Sequence, residues 1–210
     1  MNDNVKGEHI IWLKKSGVSL DLGQEKASEA SVNFQDIIQQ DATDLSNISD
    51  NSFDGVLLFG PLYHLIEEDR RRQAILEAKR VLKPGGSIFA TFIAHFAPFR
   101  DSTSRQPDWV VNENDYAHTV LKNGKHTEGK EFPNAYFAHP DEIQPFMEDC
   151  GFTTLNVLGV EGIVAEHEEE VKKLHGADWD KCVDLNYELG LEPSLHGASD
   201  HILYIGRKSS

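Results

Sequence analysis

Residues 53–59, Phe-Asp-Gly-Val-Leu-Leu-Phe, form a largely apolar run closed by Gly60-Pro61, and this run narrows the choice of folds sharply. A run of that length suits a strand buried on both faces, as in a parallel sheet. From about residue 67 to 82, Ala74, Ile75, Ala78, Val81 and Leu82 recur at helical spacing. Lys83-Pro84-Gly85-Gly86 then stops the helix and turns the chain, and residues 87–93, SIFATFI, read as a second strand. Strand, crossover helix and strand make a βαβ unit, whose handedness makes the surrounding sheet parallel.

The flanks extend this unit. Residues 8–15 read as a short helix with Ile11 and Trp12 on its buried side, 18–21 as a short strand, 24–30 as a helix and 34–39 as a strand. Residues 101–138 are polar, rich in turn formers and poorly periodic, and so long a connection implies an inserted cap or binding segment. His139-Pro140-Asp141-Glu142 opens a helix that Gly151 closes. Residues 152–159 follow as a strand, 161–197 as a largely helical stretch and 201–206 as a final strand. The expectation is one α/β domain over residues 1–210, with cap insertions at 96–139 and 161–197.

Composition removes several function classes. With 39% hydrophobic and 26% charged residues, the 210-residue chain is of the soluble globular kind. A formal net charge of −15 argues against nucleic acid or an anionic membrane as partner. The one basic cluster, Arg70-Arg71-Arg72, follows Glu67-Glu68-Asp69 and reads as a solvated helix face. Cys150 and Cys182 form no CxxC pair, no apolar stretch is long enough to cross a membrane, and the N-terminus lacks a signal-peptide layout. A reducing cytoplasm is the expected setting. The histidines lack metal-ligand spacing, so no metal is expected.

Four segments in order carry a family resemblance: Asp41-Ala42-Thr43-Asp44-Leu45; Phe53-Asp54; Phe59-Gly60-Pro61-Leu62-Tyr63-His64-Leu65; and Arg80-Val81-Leu82-Lys83-Pro84-Gly85-Gly86. This order and spacing resembles the class I S-adenosylmethionine-dependent methyltransferases, in particular those with a methyltransferase-11-like core. The resemblance implies a Rossmann-like, mostly parallel sheet with an antiparallel C-terminal strand. It also implies S-adenosylmethionine as cofactor and a small-molecule substrate, and leaves an oligomer open. Asp41 would accept a hydrogen bond from the adenine amine, with Ala42 against the adenine ring. Asp21 would hold the ribose hydroxyls, and Phe59 and Gly60 would let backbone approach the methionine part. His64 is the candidate general base, since histidine titrates near neutrality. His95 is a second candidate, and Tyr63 could shape the methyl-donor pocket. Trp109, Tyr116, Tyr136 and Phe137 either line an acceptor pocket or hold a cap onto its core.

The sequence also departs from the family. The expected Gly-x-Gly-x-Gly turn is missing; Gly7 aligns with its last glycine, because the segment after it resembles the family's next helix. MNDNVK ahead of Gly7 is too polar and short for a buried central strand, so the sheet is expected to lack its first strand. Three readings follow: methyl transfer to a small molecule, a degenerate methyltransferase-like binding or regulatory protein, and a truncated product.

Overall fold

The computed structural model describes residues 11–14, 29, 36–128 and 134–209. Gly7, Asp21, the segment 1–6 in which no strand is expected, the expected strand at 18–21 and most of the expected helix at 24–30 lie outside them.

The longest element is β4 (Leu82–Ala94), on which Leu82, Ile88, Ala90, Phe92 and Ala94 are buried in alternation. That period of two comes from the pleat. β3 (Phe53–Leu58) lies parallel along one side of β4. β8 (His201–Lys208) lies antiparallel along the other, and β7 (Phe152–Val160) pairs antiparallel with β8. At the carboxyl end of β4, Ile93 and Ala94 pair with β6 (Ala135–Ala138), which carries the two-residue β5 (Lys125–His126) on its far side. The result is a six-stranded mixed sheet, with the antiparallel C-terminal strand expected from sequence.

The helices cover it. α1 (Pro61–His64) leads into α2 (Glu68–Val81), whose Ala74, Ile75, Ala78 and Val81 are buried. Acids open α2 and Lys79 and Arg80 close it, which suits the helix dipole. Ile75, Leu82, Ile88, Ile202 and Tyr204 share one core cluster with Ile143 and Met147 of α6 (Pro140–Asp149). Burying each such side chain contributes about 1.5–3 kcal/mol. Between β4 and β6 the chain forms α3 (Ala97–Arg105), α4 (Pro107–Asn112) and α5 (Asn114–Asn123). Between β7 and β8 it forms 3-10 turns at Gly162–His167 and Pro193–Ala198, with α7 (Glu168–Val171) and α8 (Ala177–Gly190) between them.

The structure corrects four expectations. Residues 11–14 are a strand, β1 (Ile11–Lys14), paired in parallel with β2 (Asp36–Gln39), and not part of a helix. Ile-Ile-Trp is β-branched and aromatic, a composition that favours extended chain, and the segment is too short for periodicity to decide. β3 is not buried on both faces. Among the described residues it pairs only with β4, and Leu57 is 67% exposed while Leu58 is 7% exposed. Arg71 is not solvated: it is buried, donates to the carbonyls of Leu65 and Ile66, and lies 3.5 Å over the Tyr136 ring. Those carbonyls close the chain between α1 and α2, so the arginine fixes their angle.

Lys83-Pro84-Gly85-Gly86 proves to be part of β4, where the register against β3 slips between Phe53 and Gly55. Proline, which lacks an amide donor, and Gly85 at φ 77° are accommodated at such an irregularity.

Candidate functional site

In an open α/β sheet the ligand crevice lies beyond the carboxyl ends of the parallel strands. Here those ends are Phe59-Gly60 after β3 and His95 after β4. Gly60 has φ 112°, a conformation L side chains rarely adopt, so glycine is needed where β3 turns into α1. A Cβ built at Gly60 would sit 3.5 Å from the Tyr63 hydroxyl, so Tyr63 folds back over the turn.

The loop after β2 reaches the same end of the sheet through α2. Arg80, near the end of α2, donates to the carbonyls of Leu45 and Ile48 and to Asp50 and Glu77, while Glu77 accepts from the Leu45 amide. At the start of α2, Arg70 pairs with Asp41 at 3.3 Å. The loop therefore runs back along the helix and leaves Asp41-Ala42 beside its N-terminus. In a βαβ unit that is the carboxyl end of the strands. Asp41 Oδ1 accepts from the Thr43 amide and hydroxyl, and its Oδ2 accepts from Arg70. The carboxylate is thus oriented as a turn residue, and Ala42 packs against the main core. Beside it, Gln40 Oε1 is buried without a hydrogen-bond partner, whereas its Nε2 donates to the Asp44 carbonyl. A buried acceptor left unmet costs about 1–3 kcal/mol, which a ligand donor can relieve.

Phe59 is 54% exposed and His64 lies in the exposed last turn of α1, its ring 4.8 Å from that of Tyr63. His95 is buried instead, with Nδ1 3.1 Å from the Phe137 carbonyl and Nε2 2.8 Å from the Leu121 carbonyl. It ties β4 to β6 and α5 and is spent on that contact. Trp109, Tyr116, His126 and Phe137 form a succession of tilted and T-shaped ring contacts that begins at Phe99. Phe137 shares a core cluster with Val120 and Ala135, so these aromatics chiefly hold the α3–α5 segment on the sheet.

Two site residues escaped the sequence reading. Val160, the last residue of β7, pairs with His201, the first of β8, and the next residue, Glu161, turns back onto that histidine. His201 Nδ1 lies 2.8 Å from Glu161 Oε2, and the ring of Tyr63 is 6.0 Å from that of His201. The imidazole holds the Glu161 carboxyl below its usual range, and Glu161 in turn lifts His201 above the ordinary imidazole value. Burial, aided by the Glu161 charge, pushes the Tyr63 phenol up. No motif links residues 40 positions apart; the only signal was that two strand candidates, 152–159 and 201–206, could pair with those ends together. Among the described residues, no group of three or more His, Cys, Asp or Glu could hold a metal ion, and no helix is long and apolar enough to cross a membrane.

Comparison with known proteins bears on the fold. Residues 5–90 match the family described as "Methyltransferase domain". No curated protein sequence matches the chain. Among solved structures, a SAM-dependent methyltransferase from Methanosarcina mazei superposes with a TM-score of 0.59 at 16% identity, over 97% of this chain and 84% of that one. Geranyl diphosphate methyltransferase in complex with SAM gives 0.51 at 12% identity, over 96% and 69%. The cyclase SpnF gives 0.55 at 19% identity, over 96% and 67%. These likenesses establish the Rossmann-like methyltransferase fold; that one of them is a cyclase shows why fold alone does not fix the reaction.

Proposed function

We propose, from a chain with the class I methyltransferase fold and a methyltransferase domain match over residues 5–90, that it transfers a methyl group from S-adenosylmethionine to a small molecule. The reading is supported by two turns, each on the side of the sheet where α2 begins. One is the Gly60 turn at φ 112°; the other is the Asp41-Ala42 turn, with the unmet acceptor Gln40 Oε1 beside it. The unmet acceptor Gln40 Oε1 and the carboxylate of Asp41, already oriented by Thr43 and Arg70, suit an adenine amine. Asp41 and Gln40 would accept from that amine, and Ala42 would leave room for the ring. Phe59 and Gly60 would bring backbone against the amino-acid part, and His64 and Tyr63 would border the reacting methyl. Gly7 and Asp21 complete the proposed cradle from outside the described residues.

The cofactor supplies an activated methyl on sulfonium, a good leaving group. The protein's task is then to align the acceptor with the methyl–sulfur axis. The segments 96–139 and 161–197 are proposed to cap the crevice and shape the acceptor pocket.

Asp41→Ala is expected to weaken S-adenosylmethionine binding by about tenfold, the scale of one charge-assisted hydrogen bond. Calorimetry on wild type and variant measures it. The variant also loses the part-exposed Arg70 pair and the two Thr43 hydrogen bonds that shape the turn, so its stability should fall by about 1 kcal/mol while the fold stays intact. Unchanged affinity in a folded variant removes Asp41 from the site.

A further inference from the structure

Glu161 is not a glycine, yet it has φ 67°. A non-glycine residue held in that region costs on the order of 1–3 kcal/mol and persists where its surroundings over-determine it. What the conformation achieves here is specific: it turns the first side chain past β7 onto the first side chain of β8, closing the 2.8 Å Glu161–His201 contact. A carboxylate can only accept, so His201 Nδ1 carries the proton and the lone pair of the neutral ring lies on Nε2. The same relation orients the imidazole base in carboxylate–histidine pairs generally.

The pair sits where the proposed chemistry takes place. His201 is paired with Ile93 near the carboxyl end of β4. The Tyr63 ring spans from His201 to the Gly60 turn, its hydroxyl 3.5 Å from the position of a Gly60 Cβ. His201 and Glu161 keep 35% and 47% of their side-chain surface open, enough for a ligand to reach them. Arg100 of α3 donates to the Ala198 carbonyl and to Asp200, which fixes the residues leading into His201. A further polar atom, Asn186 Oδ1 on α8, is buried without a hydrogen-bond partner and stands 3.1 Å from the position of a Cβ at Gly162, next to Glu161.

We infer that His201, oriented by Glu161, is the general base of a catalytic site whose acceptors are protic groups that must lose a proton, namely phenolic hydroxyls or amines. This inference rests on the methyl-transfer reading above. In the step, a lone pair of the acceptor oxygen or nitrogen forms a bond to the methyl carbon. The methyl–sulfur bond breaks and leaves its pair on sulfur, giving a neutral thioether. The acceptor proton passes to His201 Nε2, and the resulting imidazolium is stabilised by the Glu161 carboxylate until it releases the proton to water. His201 touches the acceptor; Glu161 is a positioning residue.

The groups facing His201 are Glu161, Asp200, Tyr63 and, through Asp200, Arg100. Of these, Glu161 contributes most to the lifted His201 value. The neutral imidazole is the working form, so turnover should rise with pH through the His201 midpoint. Removing the Glu161 charge should move that rise to lower pH.

The test uses wild type, His201→Asn and Glu161→Gln. It combines calorimetry with S-adenosylmethionine, methyl transfer from the tritiated cofactor to a panel of phenols, catechols and amines, and an NMR titration of the histidine ring protons in the cofactor-free protein. Expected are cofactor affinities within twofold of one another, a loss in turnover of about 100-fold in His201→Asn, and a lower His201 midpoint in Glu161→Gln with the acid limb of its pH profile moved to match. Wild-type turnover by cofactor-loaded His201→Asn overturns the inference. So does a cofactor-loaded wild type that methylates no member of the panel, or an unmoved His201 midpoint in Glu161→Gln. Failure of the wild type to bind S-adenosylmethionine overturns instead the methyl-transfer reading beneath it.

Discussion

Replacing Arg80 by Met should lower stability by about 2–3 kcal/mol and detach the loop after β2 from α2. Arg80 donates to two backbone carbonyls, Leu45 at 2.7 Å and Ile48 at 2.7 Å, and to the carboxylates of Asp50 at 2.6 Å and Glu77 at 2.9 Å. Hydrogen bonds involving a charged group contribute about 1.5–3 kcal/mol each when shielded. The arginine is 27% exposed and Asp50 67%, so water takes over part of the loss and the sum falls well short of four full bonds. Met keeps an unbranched apolar stem while removing the fork. Arg80→Lys keeps the charge but cannot serve four acceptors at once, so it should fall between. Chemical denaturation at neutral pH measures the difference.

The same cluster sets an acid-side dependence. Arg80, first, and the Leu45 amide hold Glu77 below the usual carboxylate range despite its partial burial. A carboxyl whose folded value is depressed stabilises the fold above its unfolded value and loses that contribution as pH falls through the folded one. Wild type should therefore lose part of its margin below the ordinary glutamate value, and Arg80→Met should show a flatter acid slope. An Arg80→Met protein as stable as wild type, with its acid slope intact, would mean that the loop is held by its apolar contacts at Leu45 and Ile48 alone.

The second large effect is expected at Gly190→Ala, which should destabilise by about 3 kcal/mol. Gly190 ends α8 where it crosses β7, and a Cβ there would stand 2.5 Å from the Gly159 carbonyl oxygen. That obstacle is backbone of a paired strand, one residue from its end, which no side-chain rotamer can relieve. The reciprocal position is equally tight: a Cβ at Gly159 would lie 2.0 Å from the hydroxyl of Ser199, itself 1% exposed. The helix and the strand thus meet glycine to glycine, and the segment that leads into His201 packs against the same spot. Gly190→Ala should speed amide exchange along β7, and by displacing Glu161 it should also disturb the His201 midpoint. Gly176→Ala is the comparison, since Gly176 has φ 55° but nothing within 4 Å of its Cβ position; its cost should be backbone strain alone, on the order of 1–3 kcal/mol, with amide exchange along β7 left at the wild-type rate. Equal effects at the two positions would mean that the close approach of α8 and β7 contributes nothing.

What was legible in the sequence was whatever local pattern dictates. The apolar runs of β3 and β4 marked them as strands, and the α2 face from Ala74 to Val81 follows from a period of 3.6. The structure places α2 within about a residue of the sequence reading, whereas β4 begins five residues earlier than read, because the Lys83-Pro84-Gly85-Gly86 segment is part of it. The Asp41-Ala42 and Phe59-Gly60 turns were legible because the family motif fixes their order, and the φ of Gly60 gives that glycine a physical reason. Illegible were features that depend on tertiary neighbours. Arg71 looked like its neighbours Arg70 and Arg72, and only the position of the Leu65 and Ile66 carbonyls and the Tyr136 ring draws it inward. β3 looked doubly buried because its run is apolar throughout, but burial is set by which strands flank it. His64 stood out by proximity to a motif. His201 and Glu161 did not, because only the antiparallel pairing of β7 and β8 brings them together.

The central claim, that the Gly60 and Asp41-Ala42 turns hold S-adenosylmethionine, meets its most direct test in a calorimetric titration of the purified protein with that cofactor, repeated with Asp41→Ala. Expected is one saturable site per chain with a micromolar dissociation constant, weakened about tenfold in the variant. No heat of binding in the folded wild-type protein, over a range reaching millimolar cofactor, would contradict it.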